Sequence, residues 1–152
     1  MEKILVLCSR QPYPPVSGAK IRMFNNIKML SKKNRVDVLC ITTEKIDKEK
    51  IEELKKYCEN VIIFKVSKLS FILNTLFGLV KNKFPLQVNL YYFKKIEKWI
   101  YENHKNYKMI FCNHIRTTEY VRRIKNVTKV VDMVDSIAMN YENAIEYSKF
   151  LW

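Results

Sequence analysis

The chain opens on an unbroken apolar run, Ile4-Leu5-Val6-Leu7-Cys8 after Lys3. So short a continuous run predicts a strand over Lys3–Cys8 that is buried on both faces. Residues 9–17 carry Pro12, Pro14 and Pro15 and predict a stiff loop, since proline lacks the N–H and fixes φ. From Gly18 the period changes. Ile21, Phe24, Ile27 and Leu30 recur every third residue, and Ser17 stands before them as an N-cap. Residues 36–41 then predict a second strand, 47–58 a charged helix, and 61–66 a third strand. This β-α-β-α-β alternation is the pattern of a parallel sheet with helices on both faces. Further on, residues 69–80 predict an apolar helix that ends before Pro85. Residues 89–104 predict a long helix with Tyr92, Ile96, Trp99 and Ile100 on one face. A fourth strand is expected at 109–112, a short helix at 117–124, a fifth strand at 129–133 and a closing helix at 136–150. The fold class is α/β, a doubly wound parallel sheet, and right-handed crossovers predict the strand order 3-2-1-4-5.

Composition narrows this picture. At 152 residues the chain is one domain, 1–152, able to bury roughly 70% of its unfolded surface, so no disulfide or metal staple is needed. Two glycines exclude the G-x-G-x-x-G dinucleotide fingerprint, which needs three. The net charge of +13 comes from 28 basic and 15 acidic residues, and 22 of the basic ones are lysine. Such a field favours anionic lipid, nucleotide phosphates or nucleic acid as partners. The alternative is a lysine-rich solvated surface that accompanies a chain rich in Lys, Asn and Ile. Cys8, Cys40, Cys58 and Cys112 form no C-x-x-C and no zinc-ligand spacing, so buried free thiols in a reducing cytosol are expected, without a structural metal. Residues 69–80 are too short for a span of ~20 residues, and residues 4–8 are too short for a signal-peptide core. The chain therefore reads as cytoplasmic, either soluble or peripheral at the inner face of the membrane.

Ligands of doubly wound sheets bind outside the carboxyl ends of the strands. That rule selects residues 9–20, 42–45, 113–116 and 134–136. In the first of these, the start of a helix at Ser17-Gly18-Ala19 offers free N–H groups to an anion or to sugar hydroxyls, and Gly18 permits close approach to the backbone. Lys20 and Arg22 oppose the helix dipole there, which calls for an acidic neighbour. A plain proline-rich connector is the alternative. After the fourth strand, Asn113-His114-Ile115-Arg116 offers an amide, an imidazole and a guanidinium for hydroxyls and phosphate oxygens. Asp132, Asp135 and Ser136 could hold sugar hydroxyls or cap the last helix.

At this point the residues carry a resemblance. Pro12-Tyr13-Pro14-Pro15-Val16-Ser17-Gly18-Ala19-Lys20-Ile21-Arg22 resembles the first loop of family 4 glycosyltransferases of the GT-B fold. It is most similar to bacterial polysaccharide sugar transferases whose loop runs P-Y-P-P-x-S-G-x-K-I-R. The likeness continues through Arg35-Val36-Asp37-Val38, Pro85-Leu86-Gln87-Val88, Arg116 with Tyr120, and Val131-Asp132-Met133-Val134-Asp135-Ser136. The resemblance implies a Rossmann-like N-terminal half that binds the acceptor and faces a C-terminal half holding the nucleotide-sugar. Transfer would proceed in the cleft between them without a metal or other cofactor, the nucleotide-sugar being a co-substrate. By that similarity Gly18 lies near the donor's phosphates or sugar, and the candidate substrate contacts taken together are Ser17, Gly18, Lys20, Arg22, Arg116 and Asp135. Two departures stand out. Ala19 replaces a second glycine common in the family, and the family's histidine after the fourth strand aligns with Asn113, one residue before His114. Both remain candidates for the catalytic position.

A GT-B enzyme needs two such domains, so this chain is expected to be the acceptor-side half. Its expected partners are a donor-binding domain or subunit and a glycan or lipid-linked acceptor in cell-surface polysaccharide synthesis. It is expected not to turn over alone. An anionic membrane is a further expected partner: residues 69–84 are apolar and bracketed by lysines, with Lys68, Phe71, Phe77, Lys81 and Lys83 as contacts. Packing of this stretch on the sheet or against another domain is the alternative. Two rival functions remain. A nucleic-acid-binding module is suggested by the charge and by Tyr91 and Tyr92 near Lys94, Lys95 and Lys98, but no nucleic-acid motif accompanies them. A non-catalytic interaction subunit is the other.

Overall fold

The computed structural model describes residues 1–45, 47–81 and 84–133. Its strands are β1 (Lys3–Cys8), β2 (Arg35–Thr42), β3 (Asn60–Lys65), β4 (Met109–Asn113) and β5 (Thr128–Asp132). Its helices are α1 (Gly18–Ser31), α2 (Lys48–Lys55), α3 (Lys68–Lys81), α4 (Leu86–Tyr91) and α5 (Lys94–Asn103). All strand pairings are parallel, and the order is β3-β2-β1-β4-β5, as the crossover rule predicts. The closing helix expected at 136–150 lies outside the described residues.

Strand alternation sorts the apolar residues onto two cores. On one face Leu5, Leu7, Leu39 and Ile110 pack against Ile96 and Ile100 of α5. On the other, Ile4, Val6, Val36 and Val38 meet Met23 and Ile27 of α1 and Leu54 of α2. Both faces of β1 and β2 are covered, which is why these strands read as continuous apolar runs rather than alternating ones. The sheet is doubly wound and Rossmann-like. All four cysteines are free and buried. Burial pushes the thiols of Cys58 and Cys112 up to about 12. Cys40, hydrogen-bonded to Cys8 and buried, is raised as well.

Asp37 of β2 is a buried carboxylate toward the amino ends of the strands, held by Lys3 Nζ at 2.9 Å, Asn60 Nδ2 at 2.9 Å and the Tyr107 hydroxyl at 2.8 Å. Burial works against its ionisation, but these three donors outweigh it and hold its pKa below the usual carboxylate range.

Two expectations are corrected. The long helix at 89–104 is two helices, α4 and α5, broken at extended Tyr92 and Phe93. The break is held by tertiary hydrogen bonds. The Phe93 N–H donates to the Tyr120 hydroxyl at 3.0 Å, which itself donates to the Tyr91 carbonyl, and Asn74 Nδ2 donates to the Tyr92 carbonyl. The short helix at 117–124 is a 3-10 turn, Ile115–Tyr120. In α1 the buried residues are Met23 and Ile27, whereas Ile21 is exposed. Ser17 takes the N-cap position in extended conformation without a capping hydrogen bond from its side chain.

Candidate functional site

The order β3-β2-β1-β4-β5 reverses direction between β1 and β4, so the crevice beyond their carboxyl ends is where a ligand is expected. A cavity of about 230 Å³ sits there. Ser9 and Arg10 after β1, Ala19 and Met23 of α1, and Asn113, His114 and Arg116 after β4 line it. A second cavity of about 490 Å³ shares Ser9 and Arg10 and extends toward β2 and α3. Thr42, Glu44, Lys20, Lys68, Phe71 and Tyr91 are among the residues that line it. Three cations and one carboxylate therefore face the larger space, and two guanidiniums and an imidazole face the smaller.

Each functional side chain is placed by its element. Arg116 lies in the 3-10 turn after β4, its Nε donating to Gln87 Oε1 of α4 at 3.2 Å and its guanidinium 5.0 Å from the Tyr91 ring centroid. These contacts hold the guanidinium in place beside the cavity that Arg116 lines, and a guanidinium so held suits bidentate recognition of phosphate. Asn113 ends β4 fully buried, accepting from Asn26 Nδ2 at 3.2 Å. His114 follows with φ 79° and ψ 148°, a backbone region that is essentially glycine's. Its N–H donates to the Asp132 carbonyl at 3.1 Å, and its own carbonyl accepts from Thr117 N at 3.2 Å. The surrounding fold thus holds a non-glycine residue in a costly conformation at the crevice.

The acidic neighbour expected for the first turn of α1 is Asp132 at the end of β5. Arg22 grips it through Nε at 2.8 Å and Nη2 at 2.6 Å, and Asn26 Nδ2 adds a third donor at 2.8 Å. Hydrogen bonding to Arg22, with help from Asn26 and nearby positive charge, holds the Asp132 carboxyl below the usual range despite partial burial. Arg22 and Asp132 therefore brace α1 against β5, and Lys20, not Arg22, reaches a cavity. Ser17 and Gly18 are exposed at the start of α1 and belong to neither cavity lining. Gly18 does not adopt a left-handed φ, and a Cβ built on it would have no heavy atom within 4 Å. The open space at the helix start is real, but backbone conformation does not demand the glycine. Asp135 and Lys83 lie outside the described residues, as does the side chain of Lys81.

Sequence reasoning passed over Arg10 and Asn26. Arg10 lay inside the selected loop, one residue beyond the apolar run. Asn26 lies one helical turn from Arg22, and that spacing was the available signal. Of the expected membrane contacts, Lys68 and Phe77 are exposed. Phe71 instead turns inward, 5.1 Å from the ring of Tyr91 and 5.2 Å from that of Phe93. The two tyrosines that suggested a base-stacking platform are engaged internally, Tyr92 stacked on Tyr120 and Tyr91 beneath Arg116. Among the described residues no group of His, Cys, Asp or Glu is placed to hold a metal ion. What the crevice offers is recognition: cations for an anion, amides and hydroxyls for hydroxyl groups. No protein-family model matches the chain, and no curated protein matches it either.

Proposed function

We propose that this domain is the acceptor-binding half of a glycosyltransferase, taking a phosphorylated sugar or lipid-linked sugar phosphate at the carboxyl edge of its sheet. The observation that carries the reading is the cavity at the β1/β4 switch point, where Arg10 and Arg116 flank Asn113 and the strained His114. A phosphate is neutralised by the two guanidiniums, and sugar hydroxyls are met by the Asn113 amide, the His114 ring and the Ser9 hydroxyl. The likeness of the 12–22 loop to family 4 sugar transferases supports the same reading. Arg22 and Asp132 contribute by fixing α1, and Lys20 contributes charge to the neighbouring cavity. Asn113 and His114, both lining this cavity, are the candidates for the group that contacts the transferred sugar. The donor, a nucleotide-sugar, belongs to a second domain or subunit, and cell-surface polysaccharide synthesis at the cytoplasmic face is the corresponding setting.

Titration calorimetry with glucose 1-phosphate, inorganic phosphate and methyl glucoside tests this. Saturable binding of glucose 1-phosphate is expected, at least about tenfold weaker in Arg10→Ala and in Arg116→Ala, since a charged hydrogen bond is worth that much. The uncharged glucoside should bind more weakly than either anion. The absence of saturable anion binding, or indifference to both arginines, would remove the assignment. Turnover of a nucleotide-sugar by the 152-residue chain alone would contradict its role as the acceptor half.

A further inference from the structure

The third helix presents an inverted amphipathicity. Ser67 starts α3 by accepting the Ser70 N–H on its hydroxyl at 3.0 Å. Its inward side carries Phe71, Asn74, Thr75 and Gly78. Asn74 donates to the carbonyls of Asn89 and Tyr92, and Gly78 lies against the side chain of Asn89. Its outward side carries Leu69, Ile72, Leu73, Leu76 and Phe77, each between 43% and 69% exposed. At 100° per residue these five cover an arc of about 140° opposite the packed residues. A helix normally turns such a stripe to the core. Here the polar side is spent on tertiary hydrogen bonds and the apolar side is left outward.

The charge around this stripe selects its partner. Residues 60–96 contain six lysines and no aspartate or glutamate, although the whole chain has 15 acidic residues. Lys65 and Lys68 are exposed at the amino end of the stripe, and Lys94 and Lys95 are exposed at the start of α5. An exposed apolar stripe within a segment that carries lysines and no carboxylate, with Glu44 across the larger cavity as the acidic neighbour, is the chemistry of an anionic bilayer surface. No helix among the described residues is long and apolar enough to cross a membrane, so the contact lies in the plane of the interface. We infer that α3 docks the domain on anionic membranes, with its five apolar side chains in the headgroup–acyl boundary and its lysines among the headgroups. Lys68, Phe71 and Ile72 also line the larger cavity, so docking brings that opening to headgroup level. The inference does not depend on the sugar-transferase reading, because its test contains no sugar.

The test is sedimentation of the 152-residue chain with phosphatidylglycerol–phosphatidylcholine vesicles at low and at raised salt. Three double variants accompany it: Leu76→Ser with Phe77→Ser, Lys65→Glu with Lys68→Glu, and Lys32→Glu with Lys33→Glu. Binding to anionic but not pure phosphatidylcholine vesicles is expected, weakening as salt rises. The first two variants should lower the partition coefficient at least about tenfold. The third carries the same charge change as the second on exposed residues just after α1 and should retain binding. Its loss to the same extent would show unspecific attraction to a basic protein and overturn the inference. So would a chain that stays in the supernatant at low salt. A dimer in sedimentation equilibrium, dissociated by Leu76→Ser with Phe77→Ser, would give the face to a second copy instead. A fall in melting temperature of more than about 2 °C in that variant would show the stripe is covered within the chain.

Discussion

Gly18 and Gly78 are the two glycines of this chain, and alanine at each should move stability in opposite directions. At Gly78 a Cβ would stand 2.6 Å from Asn89 Cγ, 2.7 Å from its Oδ1 and 2.9 Å from its Cβ. Carbon contacts are comfortable at about 3.5–4.0 Å, so one of the two helices or the asparagine must yield by most of an ångström. Asn89 has little freedom to do so. It is 1% exposed, its Nδ2 donates to the Phe84 carbonyl at 2.9 Å, and its own carbonyl accepts from Asn74 at 2.8 Å. Overpacking of this kind costs about 1–3 kcal/mol, and a misaligned buried hydrogen bond adds about 1 kcal/mol. Against this, alanine recovers about 1 kcal/mol of helix propensity in the middle of α3. The net loss is about 1–3 kcal/mol, or a melting temperature lower by about 2–12 °C for a domain of this size. At Gly18 no atom opposes a Cβ and φ is ordinary, so Gly18→Ala gains up to about 1 kcal/mol by restricting the unfolded chain. Urea unfolding followed by circular dichroism, with equal m-values for the three proteins, reads the difference directly. A Gly78→Ala protein as stable as the parent, or a Gly18→Ala protein as damaged as Gly78→Ala, would refute the packing described for α3 and α4.

Asp132 has its pKa depressed in the fold by Arg22. Its contribution to stability is therefore full above the ordinary carboxylate pKa of about 3.9 and is lost as pH falls through the lower folded value. Asp132→Asn should lack that part of the acid limb; urea midpoints from pH 2 to 6 that run parallel in the two proteins would contradict the ion pair. Tyr120→Phe leaves the buried Phe93 N–H without its acceptor and should cost about 1–3 kcal/mol in the same assay, while a change below about 0.5 kcal/mol would deny the hydroxyl its role at the α4–α5 break. His114→Gly should be more stable than His114→Ala, because glycine alone relaxes at φ 79° and such strain costs about 1–3 kcal/mol; the reverse order would place the residue in an ordinary conformation.

The parts of the fold that were legible from the sequence are those encoded locally. The run at residues 4–8 and its counterparts around residues 38 and 110 announce buried strands, and punctuation by Pro12, Pro14 and Pro15 announces the first loop. The break between α4 and α5 was not legible. Residues 89–104 keep a helical period, and what interrupts it is a hydroxyl from Tyr120 and an amide from Asn74, each contributed by a distant segment. The site divides in the same way. That Arg116 and His114 line the crevice follows from their place after a strand, but the grip of Arg22 on Asp132 spans 110 positions. The outward turn of the α3 stripe is likewise set by what Asn74 and Gly78 touch, not by the apolar pattern itself.

The four buried thiols have an experimental consequence. At pH 8 a thiol whose pKa is about 12 is ionised in only about one molecule in ten thousand, and only the thiolate is alkylated at a useful rate. Cys8, Cys40 and Cys112 sit on β1, β2 and β4, the three central strands, and Cys58 follows α2 with its Sγ donating to the Leu54 carbonyl at 3.0 Å. All four thiols are also buried away from reagent, so native protein is expected to be inert to iodoacetamide, each cysteine becoming modified only when its own segment opens. Pulse alkylation through a urea series, read by peptide mass, would time the exposure of three adjacent strands and one helix end within a single molecule. The wild-type chain carries these unfolding reporters without any introduced label. If the sheet opens as one unit, all four will appear together. If β4 separates first, Cys112 will lead Cys8 and Cys40, and the half of the crevice built on Asn113 and His114 will be the first to come apart.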